Sequence, residues 1–535
     1  MSFTPMDFRA RFAPSPTGQV HIGNIRTAIF NWLCCRHAGG TFLLRIEDTD
    51  LERSTKQAID TLLECMQWLG LDYDEEPMYQ TKQCAKHLAA ADKIREQGNA
   101  YKADPAVEAS PLYFRIPVDC DDFPFVRTVG NAEVTLAAEQ HFLVNRAGLT
   151  FFTLSAKGKP VETQACLAGF KDLKVYDADG NILFALNAET LPGILDGSAT
   201  FECDNAAKIT YTKREVFYHD MVKGDLSKPL DSMRDFIIIR SDGSPVFHLA
   251  NVWDDIDQRV THIVRGDDHV ENTYRHLFLF HLLGYPVPVY AHLPMIVNKQ
   301  GKPYSKRDGD AFVGDFRDKG ILPEALFNYL TLLGWAPGDD REKMSTAELV
   351  EAFQIERAQH SPAQFDQAKL ANMNGLYIAE MPDERFIGLA WDFAQRMDWF
   401  GKAEKAKFDE VAKLMKSRTK VFTDLAAWGY FFNDELEYDA KGVRKFMGTS
   451  EQRDGLNKLA DGLGNGSFNT PEDVENFIRA TEQACGMGEF QLNQPLRVAA
   501  TGTTVGAGMY ETVLILGTAE TAKRIRTVLE KNPLA

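Results

Sequence analysis

The chain of 535 residues lacks any apolar run long enough to cross a bilayer, which argues against a membrane-spanning helix. No hydrophobic signal core stands near its start, where Asp7, Arg9 and Arg11 fall among the first residues, so export is not expected. Cysteine is sparse: eight are scattered and only Cys34 and Cys35 are adjacent. That usage argues against a disulfide framework and for a reducing, cytoplasmic setting. Positive charge is also short, with 59 Lys and Arg against 76 Asp and Glu, a net −17. Such a balance weakens the expectation of a nucleic-acid partner, because phosphates favour basic patches, yet one local basic face is compatible with it. Repeats and low-complexity tracts are missing too. What is present, 44% hydrophobic and 25% charged residues, is the composition of a globular protein too long for one core.

Along the chain, "MDFRARFAP" reads as a short strand, Ile25–Arg36 as a helix and "GTFLLRIEDTD" as a buried strand ending in acids. Strand, helix, strand favours a parallel sheet. Segment 103–215 changes texture. "LTFFTLSAKGKPVE", "LKVYDADGNILFAL" and "AKITYTK" alternate around Gly-containing turns, which predicts a β-rich insertion. Buried strands return in "DFIIIRSDG" and "VTHIVRGDD", followed by a helix at Asn272–Leu283. From 319 the pattern is mainly helical, with no strong strand run until the final part beginning near residue 490.

Two stretches carry candidate chemistry. "RFAPSPTGQVHIGN", from Arg11 to Asn24, stiffens the chain with Pro14 and Pro16 and frees it at Gly18. His21 and Gly23 then stand at the mouth of a helix, whose free N–H groups suit phosphate. A Pro-rich turn with a capping histidine would have the same composition. "KQGKPYSKRDGD", residues 299–310, places Lys302, Ser305, Lys306 and Arg307 on a Gly-bounded loop. A lysine there would stabilise charge on departing pyrophosphate, although a solvated charge run is the commoner meaning of such a loop.

Together the two stretches resemble the HIGH and KMSKS pair of class I aminoacyl-tRNA synthetases. "FAPSPTG", "RIEDTD", "SDGSPVFHLANVWDD", "THIVRGDDHVENT" and "AHLPMI" are similar to the glutamyl-tRNA synthetase family, as are "LPEALFNYLTLLGW", "FDQAKLANMNGLYI" and "QPLRVAATG". Ser15, Thr17, Glu47 and Asp50 match the glutamyl rather than the glutaminyl pattern. The resemblance implies an α/β fold: a Rossmann-like parallel-sheet catalytic domain with an α+β insertion, then a mainly α-helical anticodon-binding half. The implied division is 1–102 and 216–318 for the catalytic domain, 103–215 for an acceptor-end insertion, 319–378 for a helical stem-contact domain and 379–535 for the anticodon-binding domain. The implied activity is ATP-dependent activation of L-glutamate to glutamyl-adenylate, then transfer to tRNA(Glu), with Mg²⁺ accompanying ATP. It further implies catalytic roles for His21 and Lys306, ATP contacts from His21, Gly23, Ser305, Lys306 and Arg307, and a glutamate site of Arg11, Ser15, Glu47, Phe247, Asn251, Arg265 and His269. Each arginine's fork suits a carboxylate and mismatches a neutral amide. A structural ion pair is the other use for either arginine, and a core position the other use for His269.

The sequence departs from the family in places. Asn24 ends HIGH, Pro303 replaces the first lysine of KMSKS, and Phe247 lacks the hydroxyl of the tyrosine that relatives commonly have there. The insertion begins "AYKADPAVEAS", without the Cys-x-Cys of zinc-binding relatives, and Cys120, Cys166 and Cys203 are widely spaced, so no structural zinc is expected. Lys402, Lys405, Lys407, Lys413, Lys416, Arg418 and Lys420 form a local basic stretch in which Arg418 is the candidate anticodon contact; a solvated helix face explains it equally well. A monomer without membrane attachment is expected. A catalytically impaired tRNA-binding paralogue is the alternative. A glutamyl-queuosine tRNA-modifying enzyme, which lacks an anticodon-binding half, does not fit the long helical part.

Overall fold

The computed structural model describes residues 8–16, 18–50, 52–137 and 141–533; Thr17, one of the glutamyl-type markers, lies outside the described residues. The chain forms two compact units, residues 1–314 with 330–365, and residues 315–329 with 366–535.

In the first unit, Arg9–Phe12 pairs in parallel with Thr41–Ile46, which pairs in parallel with Met78–Tyr79. On the other flank, Thr261 donates its N–H to the Arg9 carbonyl at 2.9 Å and accepts the Arg9 N–H on Oγ1 at 2.8 Å. Thr261 leads into strand His262–Gly266, which runs parallel to Val289–Leu293. These strands are mostly buried, and the arginines and histidines within them find polar partners inside. Helix Ile22–Ala38 is mostly buried. It begins at Ile22 rather than Ile25 because His21, in extended conformation, caps it: Nδ1 accepts the Gly23 N–H at 3.0 Å. It ends where Gly39 turns left-handed at φ 63°. Buried Asn31 donates from Nδ2 to the Val264 carbonyl at 3.0 Å, tying this helix to the sheet.

The insertion is built of antiparallel hairpins with one short helix, Leu191–Asp196. Gly148–Leu154 pairs with Pro160–Ala165, and Lys171–Tyr176 with Ile182–Ala185, as the alternating pattern predicts. Phe142, Val144, Phe151, Phe170 and Ile209 give it a core of its own. The long strand Lys208–Asp220 runs unbroken past the anticipated boundary at 215, so insertion and parallel sheet share a strand. Its last residue, Asp220, pairs in parallel with Tyr290.

The second unit is helical around Phe386, Phe408, Trp428, Leu456 and Ile525. The final segment, expected to carry strand, is instead Asn493–Thr501, Met509–Leu516 and Thr518–Lys531, all helices. In "MYETVLIL" the buried residues are Met509, Thr512, Val513 and Leu516, a helical spacing that outweighs the β-branched composition.

Candidate active site

The parallel strands end on one cavity of about 590 Å³. Its wall includes the residues just past the carboxyl ends of Arg9–Phe12, Thr41–Ile46, His262–Gly266 and Val289–Leu293, where open α/β sheets bind ligands. Arg11, Ser15, His21, Gly23, Glu47, Phe247, Asn251, Arg265 and His269 all line it. So does Asn24, the residue that departs from HIGH.

His21 is both a capping histidine and a cavity residue. With Nδ1 accepting from Gly23, its Nε2 carries the proton and lies 3.1 Å from the Tyr304 carbonyl. Burial lowers its pKa from 6.5 despite that bond, so the ring is neutral at pH 7. A Cβ on Gly23 would lie 3.2 Å from His21 Nδ1, so the glycine is what admits the ring against the helix.

The two arginines are held differently. Arg11 gives Nε and Nη2 to Asp255 at 2.8 and 3.4 Å. Arg45, fully buried, also reaches Asp255 at 2.5 Å and Glu47 at 3.2 Å. Asn251 Nδ2 donates to Glu47 Oε1 at 2.9 Å. Burial raises the Glu47 pKa, with Arg45, Arg11 and Asn251 opposing. The strand register accounts for the convergence. Arg11 faces Leu43, two residues before Arg45, so both side chains leave the same face of the sheet. Helix Phe247–Asp257 meets them with Phe247, Asn251 and Asp255, four residues apart.

Arg265, by contrast, makes no ion pair among the described residues. Its Nε donates to His292 at 3.2 Å, and its Nη2 to Thr273 Oγ1 at 2.7 Å and to the His269 carbonyl at 3.3 Å. Nη1 is buried with no hydrogen-bond partner. A buried guanidinium with an unpartnered N–H pair, on a residue that lines a cavity, is suited to a ligand carboxylate. Phe247 stacks on His269 with ring centroids 5.6 Å apart.

The KMSKS-like loop reaches the cavity through Pro303 and Tyr304. Ser305, Lys306 and Arg307 are not in its wall. Ser305 is engaged with Asp308, to whose Oδ2 both its N–H and its hydroxyl donate at 3.0 Å. Lys306 is exposed, its ammonium 5.7 Å from the Phe312 ring centroid. Arg418 is exposed in the second unit. Part of the basic stretch around it is paired: Lys402, Lys405 and Lys416 meet Asp434, Asp409 and Asp383, whereas Lys407, Lys413, Arg418 and Lys420 carry no salt bridge among the described residues. In the insertion Cys120 and Cys166 are buried free thiols and Cys203 is half-buried. No group of three or more His, Cys, Asp or Glu among the described residues is disposed to hold a metal.

Sequence reading passed over Arg45, Asp255, Thr273, Asp220 and His292. Some left a signal: an ionisable residue inside an apolar strand or helix, as in "TFLLRI", "NVWDDI" and "VYAHLP", requires a buried partner.

The comparisons with known proteins agree with this geometry. The model for the catalytic domain of tRNA synthetases class I (E and Q) matches residues 7–109 and 206–372, and an anticodon binding domain model matches 388–529. The chain is 32% identical over 526 residues to Glutamate--tRNA ligase 1 of Caldanaerobacter subterraneus subsp. tengcongensis, covering 98% of each chain. It is 35% identical over 523 residues to Glutamate--tRNA ligase 1 of Erythrobacter litoralis, covering 96% of this chain and 94% of the relative. Among solved structures, a glutamate tRNA ligase from Elizabethkingia meningosepticum shares the fold with a TM-score of 0.68 at 23% identity, over 98% of this chain and 99% of that one. The chain belongs to the class I tRNA synthetases of the E and Q type.

Proposed function

We propose that this protein is a glutamate–tRNA ligase, which activates L-glutamate with ATP and transfers it to tRNA(Glu). One observation carries the reading: buried Arg265, without a carboxylate partner and with Nη1 open, shares a cavity with buried Glu47 and with capping His21. A cation and an anion in one pocket match the side-chain carboxylate and the amino group of glutamate. Arg265 takes the side-chain carboxylate, assisted by Arg11. Glu47, with Asn251 and Ser15, takes the amino end, and Phe247 and His269 close the wall. His21 and Gly23, at the head of helix Ile22–Ala38, receive the ATP phosphates, and the loop bearing Ser305, Lys306 and Arg307 supplies charge as pyrophosphate leaves. The glutamate α-carboxylate attacks the α-phosphate, and the terminal ribose hydroxyl of the tRNA then attacks the activated carbonyl. No side-chain nucleophile is needed, so catalysis is positioning and charge stabilisation. Mg²⁺ accompanies the ATP phosphates.

Residues 103–215 are assigned to the acceptor end, 319–378 to the stem and 379–535 to the anticodon, with Arg418 as a contact there. Lys413 and Arg418, without salt bridges among the described residues, and the nearby Arg497 and Tyr430 support that last assignment. The protein is assigned as a monomer of the cytoplasm, the latter supported by the free cysteines among the described residues.

The test is charging of tRNA(Glu) and tRNA(Gln) by the purified protein with ATP and either amino acid. Glutamate esterified to tRNA(Glu) is expected, and glutamine on neither tRNA. Failure to glutamylate any tRNA would overturn the reading in favour of a catalytically impaired paralogue. Glutamate appearing on tRNA(Gln) as well would identify a non-discriminating enzyme.

A further inference from the structure

Arg265 depends on a pair of residues behind it. Its strand lies parallel to Val289–Leu293 in a register that sets Arg265 against His292. His292 is fully buried, and its Nδ1 lies 2.6 Å from Asp220 Oδ2. The other oxygen, Asp220 Oδ1, accepts the backbone N–H groups of Val222, Lys223 and His292 at 3.0, 2.8 and 3.2 Å. Burial alone would raise the Asp220 pKa, but His292 and these donors hold it below the ordinary range, so the carboxyl is ionised. An ionised carboxylate only accepts, so the His292 proton sits on Nδ1 and Nε2 presents a lone pair.

That lone pair faces Arg265 Nε at 3.2 Å and Thr273 Oγ1 at 3.2 Å. Thr273 Oγ1 and the His269 carbonyl take Nη2. The Tyr290 ring lies 5.3 Å from the guanidinium carbon. Every direct partner of the guanidinium is therefore neutral. Arg11 differs: its Nε and Nη2 meet the Asp255 carboxylate.

We propose that the Asp220–His292 pair is a positioning device for Arg265, which fixes Nε through a lone pair of defined tautomer and leaves Nη1 and the undivided positive charge for the incoming carboxylate. Resting as it does on Arg265 being the partner of the glutamate side chain, the inference extends to why that arginine binds an anion rather than pairing internally. Asp220 sits on the far side of the imidazole, so its charge orients the ring without neutralising the cation.

Three full-length variants test it in tRNA(Glu) charging, with KM for glutamate, KM for ATP and kcat measured separately. Asp220→Asn is isosteric, but its amide N–H would move the His292 proton to Nε2 and set two donors face to face. Its KM for glutamate should rise about 10-fold or more, the scale of one misaligned polar contact, while kcat and KM for ATP stay within about 3-fold. His292→Leu should do the same. His292→Gln, whose carbonyl can accept from Arg265 and whose amide can donate to Asp220, should recover most of the affinity. An unchanged KM in Asp220→Asn, or equal losses in the Leu and Gln variants, would overturn the inference. Arg265→Lys separates it from the functional reading. If Arg265→Lys weakens glutamate and Asp220→Asn does not, the positioning role falls and the glutamate site stands; if Arg265→Lys has no effect on KM for glutamate, both fall. In the Arg265→Lys background, Asp220→Asn should add little.

Discussion

At the residue scale, placement separates binding groups from groups that act by moving. Arg265 and Glu47 are buried and held by neighbours on several sides, as a preorganised subsite requires. Lys306 is exposed on a loop whose Ser305 is tied to Asp308 rather than to the cavity. A lysine placed this way contributes by closing on the triphosphate, so Lys306→Ala should slow adenylate formation by about 10²-fold or more and leave glutamate affinity within about 3-fold. Pyrophosphate exchange in the presence of tRNA(Glu), beside direct glutamate binding, measures the two separately; comparable losses in both would contradict the assignment. These residues were legible because motif spacing marks them. Their supports were not: Asp255, Asp220 and His292 lie far in sequence from the groups they hold, brought there by strand register and, for Asp255, by helix Phe247–Asp257.

At the scale of elements, the helices and hairpins of the first unit follow their local signals closely, with boundaries set by caps and turns. Helix Ile22–Ala38 starts at its histidine cap and stops at Gly39. The hairpin Gly148–Leu154 with Pro160–Ala165 depends on one glycine. Gly148 has φ 125°, and a Cβ there would lie 2.2 Å from the Ala165 carbonyl oxygen. Gly148→Ala should therefore destabilise the insertion by about 2 kcal/mol or more, through both strain and clash. Thermal unfolding and limited proteolysis would report it as earlier melting and new cleavage between 141 and 170. A variant as resistant as the parent would show that this turn is not what holds the insertion together. The helical final segment shows the opposite case, in which composition suggested strand and burial periodicity decided for helix.

At the scale of the whole molecule, titration of buried groups sets how stability responds to acid. Burial, with nearby Arg275 and Arg265, brings His248 down to about 4, and burial alone brings His262 to about 4. Between 6.5 and 4 the unfolded chain binds more protons at both sites, so their contribution is lost as pH falls through that window. Asp235 works against them: burial lifts it to about 7, so it favours the folded state as pH falls from 7 toward 4. Each group changes stability by about 1.4 kcal/mol per pH unit inside its window, and two histidines against one aspartate leave a net loss on acidification. Denaturant midpoints for the first unit should fall from pH 7 to pH 5, and His262→Phe should flatten the dependence; a midpoint that rises on acidification would refute the balance. By itself, the sequence determined the α/β and helical halves and the β-rich character of the insertion, because these follow from hydrophobic period and turn chemistry, and its resemblance to a known family named the residues that meet in the cavity. Tertiary structure alone decided that Arg11 is paired while Arg265 is left open, that Ser305 and Lys306 stand outside the cavity wall, and that a buried carboxylate fixes the tautomer behind Arg265. Those outcomes depend on which strands lie side by side and in what register, and that choice is made by burying the chain's apolar surface as a whole rather than by any local stretch of it.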